Sequence, residues 1–422
     1  MIEADLLLTG ISELATPQGT TALAGPDAGR LCVVEEAAVA CRDGEIVFAG
    51  PERELTQAVR PHSDAISVDA GGGTALPGFV DAHTHLPFAG WREQEFDERL
   101  RGATYSEIAA RGGGILSTVA QTRAASFEHL TEMVRTRLDA MLRLGTTTVE
   151  AKSGYGLTFE DELKQLAALR DASVDHPVEL VPTFLGAHTV PLEYREHRER
   201  YVSLLIETIL PEVARQKLAE YADAFVDANA FDLDEARRVL TAAREHGLGI
   251  RLHADQLADD GAAQLAAELG AASADHLEYA SDAGVEALAR AGTCGVLLPA
   301  ATFFLMMDAT PPGRKLIDAG VPVVVATDFN PGSSPTESMG AALWFACLTA
   351  RLGVDEAICA TTLNAAHSLG RAGRVGSIEP GKRADLVVHD VPNRYHLVYR
   401  FGVPRVSKVI AGGRLAYERG AA

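Results

Sequence analysis

Basic residues are in short supply in this chain: 38 lysines and arginines face 58 aspartates and glutamates, a formal charge of −20 over 422 residues. Such a surface repels phosphate backbones and anionic membranes and removes the electrostatic attraction that nucleic-acid binding needs. The expected partner is a small molecule, with no nucleic acid and no membrane. Cysteine is scarce too. Cys32, Cys41, Cys294, Cys347 and Cys359 are odd in number, scattered, and never in a C-x-x-C pair, which argues against a disulfide framework and a cysteine zinc site. A reducing cytoplasm fits this usage. No apolar run approaches membrane-spanning length, and Met1-Ile2-Glu3-Ala4-Asp5 opens without a basic region or a long apolar stretch, so a soluble, unexported protein is expected. There is no repeat of fixed period and no low-complexity linker.

What is present is a chain 47% hydrophobic and 23% charged, enough for a large α/β domain with a smaller one beside it. Up to residue 76 the apolar runs are short: Leu6 to Leu8, Leu31 to Val34, Ala37 to Cys41, Glu45 to Ala49. Ala384 to Val388 and Val406 to Ile410 have the same texture. Together they predict a composite, β-sandwich-like domain built from residues 1–76 and 371–422, with a larger domain inserted over 77–370. In that middle part eight strand-like runs alternate with amphipathic helical ones. They are Phe79 to Ala82, Thr146 to Glu150, Val178 to Phe184, Ala224 to Asp227, Ile250 to His253, Ala274 to His276, Gly295 to Leu298 and Val321 to Ala326. One helix is well marked, with Asp232 as N-cap, Glu235 three residues on, helix over Ala236 to His246, and Gly247 as its stop. Eight β/α units predict an α/β fold, a (β/α)8 TIM-like barrel whose active site lies at the strand C-termini.

That rule sorts the polar residues. His83 and His85 end the first strand and, two apart, point the same way. His253 ends the fifth, His276 the sixth, and Asp328 follows the eighth. Any one of these histidines alone is as well read as a hydrogen-bonded barrel residue. Five groups on one rim are not. His83, His85, His253 and Asp328 form a ligand set suited to Zn²⁺ or iron, with room for a water whose pKa falls towards about 7, so metal-assisted hydrolysis is the expected chemistry.

Longer strings narrow this reading: His83-Thr84-His85-Leu86 with Arg92 downstream, Gly112-Gly113-Gly114-Ile115, Glu150-Ala151-Lys152-Ser153-Gly154-Tyr155-Gly156, Phe184-Leu185-Gly186-Ala187-His188, and Asp328-Phe329-Asn330-Pro331-Gly332. With the H-x-H pair and the split terminal β domain they resemble the amidohydrolase superfamily and, within it, the imidazolonepropionase family, over nearly the whole chain. The resemblance implies a small-molecule substrate, 4-imidazolone-5-propanoate, whose ring is opened by water to N-formimino-L-glutamate, the third step of histidine degradation. It also implies a homodimer. Asp328 would take the water's proton as well as bind metal, and His276 would steady the oxyanion or pass a proton.

Arg92 is the candidate for holding the propionate through two parallel hydrogen bonds, although Trp91-Arg92-Glu93 alone reads as a surface segment. Tyr155 and His188 resemble substrate-contacting positions and are otherwise packed loop side chains. Asn330, Gly332 and Ser333 are candidates for contacting the ring or the new carboxylate, or else simply form a Pro-Gly turn. Gln256 stands where related aminohydrolases have a titrating Glu. This argues against a purine or pyrimidine deaminase and leaves Gln256 as a hydrogen-bonding partner of the ring within the catalytic set. Binuclear members use a carboxylated Lys after the fourth strand, and the predicted Phe225-Val226-Asp227 has none. One Zn²⁺, Fe²⁺ or Fe³⁺ per chain is therefore expected, with Lys152 the alternative bridging group. The other readings are a hydantoinase-like or dihydroorotase-like cyclic-amide hydrolase and a non-catalytic metal-binding barrel.

Overall fold

The computed structural model describes residues 1–103, 107–108 and 111–420. Five strands come first: β1 (Ile2–Thr16), β2 (Cys32–Arg42), β3 (Glu45–Pro51), β4 (Val59–Asp69) and β5 (Thr74–Pro77). Strand β2 merges two of the predicted runs. Leu6, Leu8, Ile11 and Leu14 of β1 pack with Val39 and Cys41 in one apolar core, while Ala4 and Leu7 meet Leu55 of the helix Glu52–Ala58 in another. At Gly78 the chain leaves this sheet. Only glycine suits the position, since a Cβ there would lie 2.2 Å from Thr147 Oγ1.

Eight parallel strands follow: β6 (Phe79–Asp81), β7 (Thr146–Lys152), β8 (Glu179–Ala187), β9 (Tyr221–Ala224), β10 (Gly249–Ala254), β11 (Ser273–His276), β12 (Cys294–Leu297) and β13 (Val323–Val325). They pair in chain order from β6 to β13. Helices cover the outside and side chains fill the inside, so these strands are buried on both faces nearly throughout. Ser126, Thr158 and Ser281 cap helices between strands, and Asp232 with Glu235 forms a full capping box at the helix Leu233–Glu245. The ring closes at its C-terminal rim. There the Asp328 N–H donates to the His83 carbonyl at 3.0 Å and the His85 N–H to the Phe329 carbonyl at 2.9 Å. The residues singled out in the sequence thus also make the closing bonds of the barrel.

The fourth strand departs from the prediction. It lies at Tyr221–Ala224 instead of Ala224 to Asp227. Beyond it the Ala230 N–H donates to the Asp227 carbonyl and the Asp227 N–H to that of Phe231, closing a turn. Asp227 is therefore a loop residue, and Asp223, inside the strand, is buried in the barrel.

The chain ends with β14 (Leu386–His389), β15 (Val406–Ala411) and β16 (Arg414–Glu418). These join the first five strands in a mixed sheet of order β16-β15-β14-β5-β1-β2-β3, with β4 beside β1. The antiparallel pairing of β5 with β14 ties the two ends together. Residues 421 and 422 of the predicted segment 371–422 lie outside the described residues. Among the described residues no helix is long and apolar enough to cross a membrane.

Asn364 pins the N-terminal segment to the barrel. Its amide accepts from the Leu23 N–H at 2.7 Å and donates to the carbonyls of Leu23 and Val323, both at 2.9 Å. Asn364→Ala leaves these buried groups unpaired and is expected to cost about 2–4 kcal/mol, read as a lower urea midpoint at unchanged slope. An unchanged midpoint contradicts this role.

Candidate active site

The centre is built from the bottom of the barrel upwards. Successive inward positions of β7 are Glu150 and Lys152, of β10 Arg251 and His253; β9 adds Asp223 and β11 adds Asp275. All are buried. The Lys152 ammonium lies 2.8 Å from Glu150 and 2.9 Å from Asp223, and the Arg251 guanidinium 3.5 Å from Asp275. Burial opposes the charge on Lys152, but Glu150 and Asp223 outweigh it and raise its pKa.

These carboxylates orient the ring above them. Asp275 lies 2.6 Å from His83 Nδ1, and Asp223 3.1 Å from His253 Nδ1. A carboxylate can only accept, so the proton sits on Nδ1 in both rings and the Nε2 lone pairs face the cavity. Both Nε2 atoms are buried without a hydrogen-bond partner among the described residues. Asp328 Oδ1 stands 3.4 Å from His83 Nε2 and 3.5 Å from His85 Nε2. Ligand atoms of His83, His85 and His253 lie within 4.8 Å of one another, as do those of His83, His276 and Asp328. Orphaned imidazole nitrogens converging beside a carboxylate are what a divalent metal requires, and the set fits one. Burial and the Lys152 charge oppose protonation of His83, yet Asp275 and Asp328 pull its pKa up to about 9. The surroundings favour positive charge at this point.

His276 and Asp328 both adopt positive φ, 81° and 56°, an uncommon conformation for residues with a Cβ. Burial holds the His276 pKa well below the ordinary range, so this ring stays neutral. Ser333 donates to Asp328 Oδ2 at 3.1 Å, leaving Oδ1 towards the histidines. The Asn330 amide is engaged within its own turn. It donates to the Asp328 carbonyl and Ser333 Oγ, and accepts from the N–H groups of Gly332 and Ser333.

Above the rim opens a cavity of about 410 Å³. His85, Arg92, Tyr155, His188, Gln256, His253, His276, Asp328, Asn330, Gly332 and Ser333 all line it. His83 lies beneath, fully buried. His188 stacks on His85 at 5.2 Å, and its Nδ1 donates to the Gly154 carbonyl at 2.9 Å. Arg92 Nε donates to Glu95 at 2.8 Å. Gly332 permits the close approach of its guanidinium, because a Cβ there would lie 2.2 Å from Arg92 Nη1. Lys152, the alternative bridging group, lies in the ion-pair layer below.

Sequence reading missed Asp223, Asp275, Glu278, Glu95 and Arg99. Asp223 was hidden by the displaced fourth strand. Asp275 directly precedes His276, and charged residues two apart inside buried strands, as in β7 and β10, were the available signal of an internal ion-pair layer. Glu278 Oε2 faces His276 Nδ1 at 3.8 Å, and burial pushes this carboxyl up to about 7. Arg99 also lines the cavity.

Residues 74–416 match the model of the amidohydrolase family. The chain is 48% identical to an imidazolonepropionase of Symbiobacterium thermophilum, covering 100% of this chain and 99% of that protein. It is 49% identical to one of Geobacillus kaustophilus, covering 92% of each. Among solved structures it resembles a zinc-bound adenosine deaminase from Xanthomonas campestris, with TM-score 0.72, 21% identity and coverage of 98% and 93%. It also resembles a triazine hydrolase variant, with TM-score 0.75, 18% identity and coverage of 98% and 94%. At these identities the structures speak for the fold alone.

Asp223→Asn replaces the acceptor facing His253 Nδ1 with an amide that can donate to it, releasing the ring from its tautomer. The expected result is about 10–100-fold weaker metal binding in competition with a chelator, in a folded protein. Unchanged affinity contradicts the orienting role.

Proposed function

The chain belongs to the amidohydrolase family and, within it, to the imidazolonepropionases, and from that premise we propose that it opens the ring of 4-imidazolone-5-propanoate with water to give N-formimino-L-glutamate, the third step of histidine degradation. One observation carries the reading. Side chains from loops far apart in sequence, among them Arg92, Tyr155, His188, Gln256 and Ser333, line one cavity with His85, His253, His276 and Asp328.

His83, His85, His253 and Asp328 would hold one zinc or iron ion. Bound there, it would supply water of lowered pKa and polarise the ring carbonyl. The remaining work falls to the chain. Asp328, whose Oδ1 faces the histidines, takes the proton of the attacking water at Oδ2, the oxygen positioned by Ser333. Neutral His276 donates a hydrogen bond to the oxygen on which negative charge develops. As the ring C–N bond breaks, Asp328 returns the proton to the departing nitrogen, and the carbonyl carbon becomes the new carboxylate. Gln256 offers one donor and one acceptor to the ring, and no acid. The Arg92 guanidinium, anchored through Nε by Glu95, keeps its Nη groups for the propionate.

A single metal is the reading favoured by Lys152, whose amine is engaged by Glu150 and Asp223 and so is not free to carry a carbamate between two ions. The same proposal takes 77–370 as the catalytic barrel and 1–76 with 371–422 as a composite β domain, in a cytoplasmic homodimer.

The test generates the imidazolone in place from urocanate with a urocanase and follows its ultraviolet absorbance. The proposal expects metal-dependent loss with formation of formiminoglutamate, and none with His253→Ala. A metal-loaded protein that leaves the absorbance unchanged contradicts it.

A further inference from the structure

The helix Glu93–Leu100 presents a second guanidinium to the cavity. Arg92 stands at the N-cap of this helix and Arg99 near its end, and both line the cavity. Both reach the turn after β13: the Arg99 Nη2 donates to the Gly332 carbonyl at 3.2 Å, while Arg92 packs against the Cα of the same glycine. Their electrostatic situations differ. Arg92 is matched by Glu95, whose other oxygen accepts from the Gly114 N–H at 2.9 Å. Arg99 has no carboxylate at ion-pair distance among the described residues.

Nor is Arg99 loose in solvent. Phe96 and Phe304 stack at 4.6 Å, and its guanidinium carbon stands 5.2 Å from the Phe304 centroid and 5.8 Å from that of Phe96. An aromatic wall supports the cation without neutralising it. Asp227, another acid on the cavity wall, follows the fourth barrel strand, half-way round the ring from the turn after the eighth. At the Gly332 side Asp328 is turned to His83 and His85, and Arg92, Arg99 and Glu95 leave one unmatched positive charge.

We propose that Arg99 is a second specificity residue, which together with Arg92 recognises a carboxylate at the end of the substrate's side chain. This rests on the proposed ring-opening reaction, whose substrate carries one such carboxylate. Arg92, fixed by Glu95, sets the direction of the carboxylate, and Arg99 supplies the charge that desolvates it favourably.

The experiment uses metal-loaded full-length protein, wild type and Arg99→Gln, with equal metal content and thermal midpoint as the folding control. Two measurements are made: ring opening of 4-imidazolone-5-propanoate, and calorimetric binding of 3-(imidazol-4-yl)propanoate and its propanamide, whose rings lack the carbonyl and are not hydrolysed. The expected result is a KM raised about tenfold by Arg99→Gln with kcat changed far less, propanoate binding weakened by a similar factor, and propanamide binding the same in both proteins. Arg99→Lys is expected to recover part of the loss. If Arg99→Gln binds and turns over like wild type, the Arg99 assignment is overturned and the reaction stands. If wild type opens no ring yet binds the propanoate through Arg99, the reaction is overturned and the carboxylate site stands.

Discussion

The site depends on a layer of charge buried in the barrel, away from bulk water. Glu150, Asp223 and Asp275 face Lys152 and Arg251 at ion-pair distance, and Asp328 adds a fourth carboxylate at the rim. Four acids against two bases leave the layer with excess negative charge, which draws positive charge to His83 beside it. Asp81 and Glu278 are pushed by burial up to about 7 and are held less firmly as anions. Isolated charges in such an interior are costly, and the excess of negative charge favours a cation beside the imidazoles. The same layer fixes the histidine tautomers, so charge balance and ligand orientation have one origin.

That coupling explains why acidic residues sit in the middle of strands that otherwise favour Val, Ala and Leu. Asp223 and Asp275 lower the stability of the barrel unless Lys152 and Arg251 accompany them, and their return is the direction they give to His253 and His83. Closure follows the same economy of parts. The backbone bonds joining the rim run through His83, His85, Asp328 and Phe329, so a disturbance of closure disturbs these side chains directly.

Much of this was legible in the sequence. His83 and His85 are two apart at the end of a strand, and period-two alternation alone puts them on one face. His253, His276 and Asp328 follow from counting strands, and the barrel from eight alternations. The fourth strand misled, because Phe225-Val226 is apolar enough to extend it, whereas the turn to Phe231 ends it at Ala224. With that slip Asp223 disappeared from view. Arg92 and Arg99 were harder to read, since a cation on a short helix reads as surface until the turn at Gly332 is folded against it. Asn330 could be read as a turn residue or as a ligand-binding one. Its amide is engaged within the turn, which in turn sets Ser333 against Asp328.

The central claim is that this charge balance holds one divalent metal and that ring opening needs it. The most direct measurement is metal content per chain by elemental analysis, taken alongside imidazolone turnover as zinc or iron is returned to the stripped protein. The account predicts that turnover rises in proportion to metal and levels off at one ion per chain. Saturation at two ions, or full turnover in the stripped protein, would contradict it.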